Sequence, residues 1–459
     1  MVIPSLPLEI TLLIADFLDP YTCFDFSIIC KSCWSLCAPL VAKHKQLFAE
    51  NSIIDTTPAW GTLQPILWEK LNQYLDCPYD GFYVRDITLP SNRSTYLDVN
   101  AAHDFQLSRE SPAPPQDDIK RYHLAMQMIE ERHGQNDNLT SNWDSWIRKG
   151  SSEPILSLLI HYTPNLKIFR FTDLELKEVF LPLLYCIAMG YGNPRLAPNL
   201  PFQHLTTVAV AHWDTESSCA SDWCQYFCSI PSVRSFVARA MGGSSSRHRD
   251  LDGLPSSNVR ELVFQNSRFD ASAIEQILKK TPLLERFTYD VGDASVAEEV
   301  FSVEPDRVLR ALQNHVGHSL QHAVFASWAD WDNEEELGDV GQVSLRDFKE
   351  LKTLRCDWHI LRPIRDEIAS SPETLPDGDF YTEEQETLED FDFRSILPAS
   401  LEVLVISGSA HLDDTELLSE LPKRSAFTPL LNKIYLPDEG TDILDITGNP
   451  LLQYLQGQG

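Results

Sequence analysis

The chain is 459 residues long and 43% hydrophobic, which is ample for a real core and suggests about three domains or one long repeat array. Its 37 basic residues against 67 acidic ones give a formal charge of −30, which argues against general nucleic-acid binding and against an anionic membrane surface, since both need clustered Lys and Arg. The N-terminus carries Glu9 and Asp16 and no basic segment, so it does not read as a secretory signal. The longest apolar run, Val179 to Met189, spans eleven residues and contains Pro182, too short for a bilayer. The ten cysteines are therefore expected as reduced thiols in the cytoplasm and/or nucleus.

In chain order, Pro7 suits the first position of a helix, where its missing N–H costs nothing. Glu9 complements the positive end of that helix. Ile10, Leu13, Ile14 and Phe17 recur at helical spacing as one apolar stripe. Asp19-Pro20 breaks the helix, and Thr22 followed by Asp25 resembles a capping box for a second one. Phe26, Ile29, Cys30, Cys33 and Cys37 continue the spacing, with Trp34 alongside. A segment this short rarely buries enough surface to stand alone, and its stripes are too broad for so small a core. A partner or the following domain should take up the remainder. Cys30, Cys33 and Cys37 with His44 admit zinc ligation, but they fall on the stripe the core needs, and core packing is preferred.

The Leu6-Pro7-x-Glu9 start and the Cys30-Lys31-x-x-Trp34 segment sit at the spacing of the F-box, and residues 1–48 resemble that three-helix module. The plainer alternative is the N-terminal cap of a larger helical or repeat domain. The resemblance implies binding to a Skp-type adaptor and, through it, a cullin. The implied adaptor contacts are Leu6, Pro7, Ile10, Ile14, Leu18, Ile28, Cys30 and Trp34, with some of them falling to the internal core instead.

Residues 49–160 read as a linker and array cap with an insertion, and 104–118, around Ser111-Pro112-Ala113-Pro114-Pro115, as an exposed loop. Beyond them, segments of the form Leu-x-x-Leu-x-Leu, with apolar substitutions, begin at nine positions: Leu166, Leu205, Val233, Val259, Leu284, Leu320, Leu351, Leu401 and Leu431. The second position is polar in every one, and proline precedes four of them by two residues. One unit is clear. Val259–Phe264 reads as a strand, Asp270 caps a helix carrying Ile274, Ile277 and Leu278, Thr281-Pro282 ends it, and Leu284–Tyr289 begins the next strand 25 residues after the first. Ser151 to Phe171 repeats the helix, Thr-Pro and strand. Residues 241–258 read as a mobile loop, and the acidic run at 371–393 as a solvated insertion or a docking site for a basic substrate.

Residues 161–459 thus resemble the degenerate leucine-rich repeats of fungal-type F-box proteins. The expected fold is α/β, an N-terminal three-helix module followed by an irregular solenoid of short parallel strands and helices. In such strands the fourth and sixth residues point inward and the fifth outward. The fifth positions are Arg170, Ala209, Val237, Val263, Thr288, Val324, Arg355, Val405 and Tyr435. Arg170, Val237, Val263, Arg355, Val405 and Tyr435 are the candidate substrate-binding residues on this apolar stripe; the plainer alternative is ordinary β-propensity or an insertion folded over the sheet.

Cys219, Cys224 and Cys228 with His212 lack a close Cys-x-x-Cys pair, while Trp223, Phe227 and Ile230 make a helical face around them, so packing is preferred to a metal. His315-Val-Gly-His318 lacks the glutamate and spacing of a metalloprotease helix, and neither a phosphate loop nor a Gly-x-Ser-x-Gly elbow occurs. Nothing selects a catalytic residue, a metal site or a cofactor. The functional expectation is a substrate-recognition adaptor of a Skp–cullin–F-box ubiquitin ligase, holding an unknown target near the charged conjugating enzyme. The alternative is a leucine-rich-repeat scaffold without a ligase role, and an enzyme ranks third.

Overall fold

The computed structural model describes residues 7–56, 63–89, 114–133, 140, 143–148, 151–172, 178–212, 218–243, 253–292, 304–326, 343–357, 396–407 and 428–435. The chain opens on three helices, α1 Leu8–Phe17, α2 Pro20–Ile28 and α3 Lys31–Asn51. Pro7 lies one residue earlier than expected, as the N-cap of α1, with its carbonyl accepting from the N–H groups of Ile10 and Thr11. The start of α2 also differs from the expected Thr22/Asp25 box. Asp19 is the N-cap, its carboxylate accepting from Tyr21 N and Thr22 N, and Pro20 occupies the first helical position. An aspartate before a proline satisfies both helix-start preferences at once, which leaves Thr22 inside the first turn.

The remainder is α/β. Thirteen parallel strands form a sheet whose main path follows chain order. They are β1 Ile53–Asp55, β2 Asp86–Leu89, β3 Ile168–Thr172, β4 Thr207–Ala211, β5 Cys219–Ala220, β6 Ser235–Arg239, β7 Met241–Gly243, β8 Glu261–Phe269, β9 Arg286–Val291, β10 His322–Ala326, β11 Thr353–Asp357, β12 Val403–Ser407 and β13 Lys433–Tyr435. Only β5 and β7 lie off that path, β7 pairing with both β5 and β8. Sequential parallel strands require crossovers, and helices supply them in most connections. These are α4 Leu63–Asp76, α5 Gln116–Arg132, α6 Trp143–Arg148, α7 Glu153–Leu159, α8 Phe180–Tyr191, α9 Asp222–Cys228, α10 Ala271–Lys280 and α11 Pro305–Val316. Such an order is compatible with a solenoid-like array. No described helix is long and apolar enough to cross a membrane.

Each of the nine hexameric segments becomes a strand beginning at its third residue. In the first eight, the first, fourth and sixth residues enter the core with the helices, as Leu166, Phe169 and Phe171 do against Phe180 and Trp223, whose ring lies 5.0 Å from that of Phe171. The polar second positions build a continuous ladder. From Thr206 to Asn432, each one's N–H donates to the carbonyl of the second-position residue on the preceding strand, at 2.8–3.0 Å. A side-chain device sits beside it. Asn165 donates to Phe82 O, Ser232 to Phe202 O, Asn258 to Pro231 O, Ser319 to Pro282 O and Ser400 to Phe348 O, each pinning one turn to the turn before. These residues immediately precede the hexamer, a position the pattern left unassigned.

The segment read as linker and cap contributes β1 and β2, so the sheet begins at Ile53. Residues 241–243, read as loop, are β7; β5 offers them a paired strand that no local pattern announces. Gln116–Asp118, at the end of the expected loop 104–118, start α5, and the acidic run 371–393 lies outside the described residues.

Candidate functional site: an apolar face on the N-terminal helices

The three N-terminal helices share a very small interior. Ala15, Cys37 and Val41 are buried together, with Phe26, Leu36 and Leu40 packed partly against them. That interior is too small to cover α1, seven of whose ten residues are apolar. Ile10, Leu12, Leu13, Ile14 and Phe17 therefore face solvent, Phe17 with 72% of its surface. Tyr21, Phe24 and Ile28 of α2, Ile29 after it and Trp34 of α3 are exposed as well. Of eighteen exposed large hydrophobic residues among those described, eleven fall between Ile10 and Phe48. The concentration distinguishes this face from scattered surface apolars, which need no explanation.

Of the predicted adaptor contacts, Pro7, Ile10, Ile14, Ile28, Cys30 and Trp34 are exposed and Leu18 is half-buried. Leu6 lies outside the described residues. Leu13, Phe17, Phe24 and Ile29 belong to the same exposed surface although motif matching did not single them out. The stripe in α1 was a signal for the first two, because the buried interior beneath it is small.

Cys30 is the N-cap of α3, its sulfur accepting from Cys33 N at 3.4 Å. Cys33 and Cys37 are buried, as packing requires, but Cys30 is exposed rather than part of that packing. The helix begins after it, so its side chain turns back over the first turn. The module is joined to the array through Arg85, whose guanidinium lies 5.5 Å from both the Tyr21 and Phe48 rings and donates to the Tyr21 hydroxyl. His44 Nδ1 and the Tyr83 hydroxyl are 2.6 Å apart, and burial holds the His44 pKa below its ordinary value.

The second candidate surface differs from expectation. The nine fifth-position residues do form one row, paired strand to strand from Arg170 through Ala209, Val237, Val263, Thr288, Val324, Arg355 and Val405 to Tyr435. That row is not an open groove. Val237, Val263, Arg355 and Val405 are buried, and only Tyr435 at the last strand is exposed. Arg170 is engaged by Asp86, with Nη1 2.7 Å from Oδ2. Short Ala and Val side chains in this row sit beside longer neighbours, including the Glu261–Arg286 ion pair at 3.0 Å two residues earlier in each strand. Side-chain direction was readable from a two-residue period, but access was not.

Cys219, Cys224 and Cys228 are buried beside Trp223, Phe227 and Ile230, the Cys224 and Cys228 sulfurs lying 3.7 Å apart. Among the described residues no group of three or more His, Cys, Asp or Glu side chains is arranged to hold a metal ion. Comparison with protein-family models finds no match. Comparison with curated proteins finds none either.

Proposed function

We propose that the chain is a substrate-recognition adaptor of a Skp–cullin–F-box ubiquitin ligase, in which residues 1–48 act as an F-box and the sheet-and-helix array, read as degenerate leucine-rich repeats, presents a target protein. The observation that carries this reading is the exposed apolar face on α1–α3. It contains Ile10, Ile14, Ile28, Cys30 and Trp34, residues that match the F-box pattern. A face of that composition is one half of a protein interface. The chain itself performs no bond chemistry in this role. It raises the effective concentration of a target lysine near the charged conjugating enzyme.

The test is co-purification with a Skp-type adaptor and its cullin. Leu6→Ala with Pro7→Ala should weaken recovery of the adaptor, and Ile14→Asp with Trp34→Ala should weaken it by about tenfold or more, since central apolar anchors each carry 1 kcal/mol or more. Unchanged recovery in both would sink the reading. Recovery of the adaptor without cullin or ubiquitin would favour a scaffold that has no ligase role.

A further inference from the structure

Cys30-Lys31-Ser32-Cys33 places two sulfurs 3.4 Å apart at the start of the 21-residue helix α3. One is exposed and the other buried. The exposed sulfur is the N-cap, and the Cys33 N–H points at it. That hydrogen bond, together with the contact to the Cys33 sulfur, holds the Cys30 thiol below its ordinary pKa. The hydrogen bond to Cys30 and then burial push the Cys33 thiol up. The two thiols thus have different assignments, an accessible nucleophile and a shielded resolver. Cys224 and Cys228 are also close, but both are buried, so no external reagent reaches them.

We propose that Cys30 and Cys33 form a redox-active dithiol, oxidised to an intramolecular disulfide by small-molecule disulfides and restored by small thiols. The Cys30 thiolate attacks one sulfur of a disulfide R–S–S–R, forming a Cys30–S–S–R bond and expelling one R–S⁻, which takes up a proton. Cys33 releases its proton to solvent, its thiolate attacks the Cys30 sulfur, and the second R–S⁻ leaves and is protonated in turn. Two cysteine thiols are oxidised and one small disulfide is reduced to two thiols. The sulfurs need close only from 3.4 Å to about 2.0 Å.

The full-length protein is equilibrated with mixtures of glutathione and glutathione disulfide, alkylated and mapped by mass spectrometry. A Cys30–Cys33 linkage should accumulate with the oxidised fraction and disappear on adding dithiothreitol. In the reduced protein at pH 7, Cys30 should alkylate about fivefold or more faster than the exposed Cys77. In Cys33→Ser, Cys30 should stop at the glutathione mixed disulfide. The proposal is overturned if wild-type Cys30 also stops there, if Cys33 links to Cys37 or Cys23 instead, or if Cys30 alkylates no faster than Cys77. Wild-type mapping decides the matter even if the variant fails to fold. All of it is read on the protein alone, so the outcome is independent of adaptor binding.

Discussion

Glu153 is 2% exposed, and its carboxylate accepts from the N–H groups of Val179 and Phe180 at 2.6 and 2.9 Å, where α8 begins. Burial outweighs these bonds and pushes its pKa up to about 7. A carboxyl with a raised folded pKa contributes its stability fully below its ordinary value of 4.5 and loses it as pH rises through 7. His133 and His161 pull the other way. His161 Nδ1–H donates to Ser157 O, so its Nε2 accepts from His133 Nε2–H at 3.1 Å, and burial holds the two at about 3 and about 4, His161 the lower. Their stability is present above 6.5, the ordinary histidine value, and is lost as pH falls toward 4 and below. Two histidines oppose one carboxyl, so net stability should fall between pH 6.5 and 4, and denaturant midpoints should show it. Glu153→Gln should steepen that loss; parallel pH profiles for variant and wild type would contradict the assignment. Gly81 sets a different constraint. A Cβ there would lie 1.9 Å from the Tyr162 carbonyl oxygen, so Gly81→Ala should destabilise by about 1–3 kcal/mol in denaturant melts.

Among the elements, α10 follows its sequence signals most closely. Asp270 caps it by accepting from Ala273 N at 2.7 Å, the helix runs Ala271–Lys280, and Thr281 ends it ahead of Pro282. Asp270→Ala should cost about 1 kcal/mol. The turn-to-turn pins are new information from packing. Asn258→Ala removes a bond of 2.9 Å to Pro231 O and should cost about 1 kcal/mol, with no change in helix content by circular dichroism. A larger loss of helix would show that the pin does more than join two turns. One missed strand had a readable signal. Val84-Arg85-x-Ile87-x-Leu89 is the same hexamer with the same polar second position, and Val84, Ile87 and Leu89 are buried like their counterparts. β1, β5 and β7 had none, since two or three residues cannot display a period.

At the scale of the molecule, exposed large apolar residues concentrate on the N-terminal helices among the described residues. The array closes its strands over a continuous core and buries most of its fifth-position row, while the N-terminal helices leave many large apolar side chains exposed. Arg85 joins the two parts by stacking on Tyr21 and Phe48. Arg85→Ala should therefore speed proteolysis within residues 8–51 and leave the array resistant, because one-dimensional arrays hold themselves together through neighbouring strands. Equal cleavage of both parts in the variant would show that the module and array unfold as one.

Local pattern alone determined the nine repeat strands, their inward residues and the row that their fifth positions share, because side-chain direction follows a two-residue period that neighbours in the chain impose. It also located the first N-terminal helix and the break at Asp19-Pro20, but the apolar spacing ran on from Phe26 to Cys37 as one helix, whereas α2 ends at Ile28 and α3 starts at Lys31. Tertiary structure decided what is reachable. It buried Val237, Val263 and Val405, held Arg170 against Asp86, and left Phe17 and Trp34 in solvent. Accessibility depends on how much surface distant elements bring to bear, and a stripe of identical composition is core or interface according to whether anything packs on it.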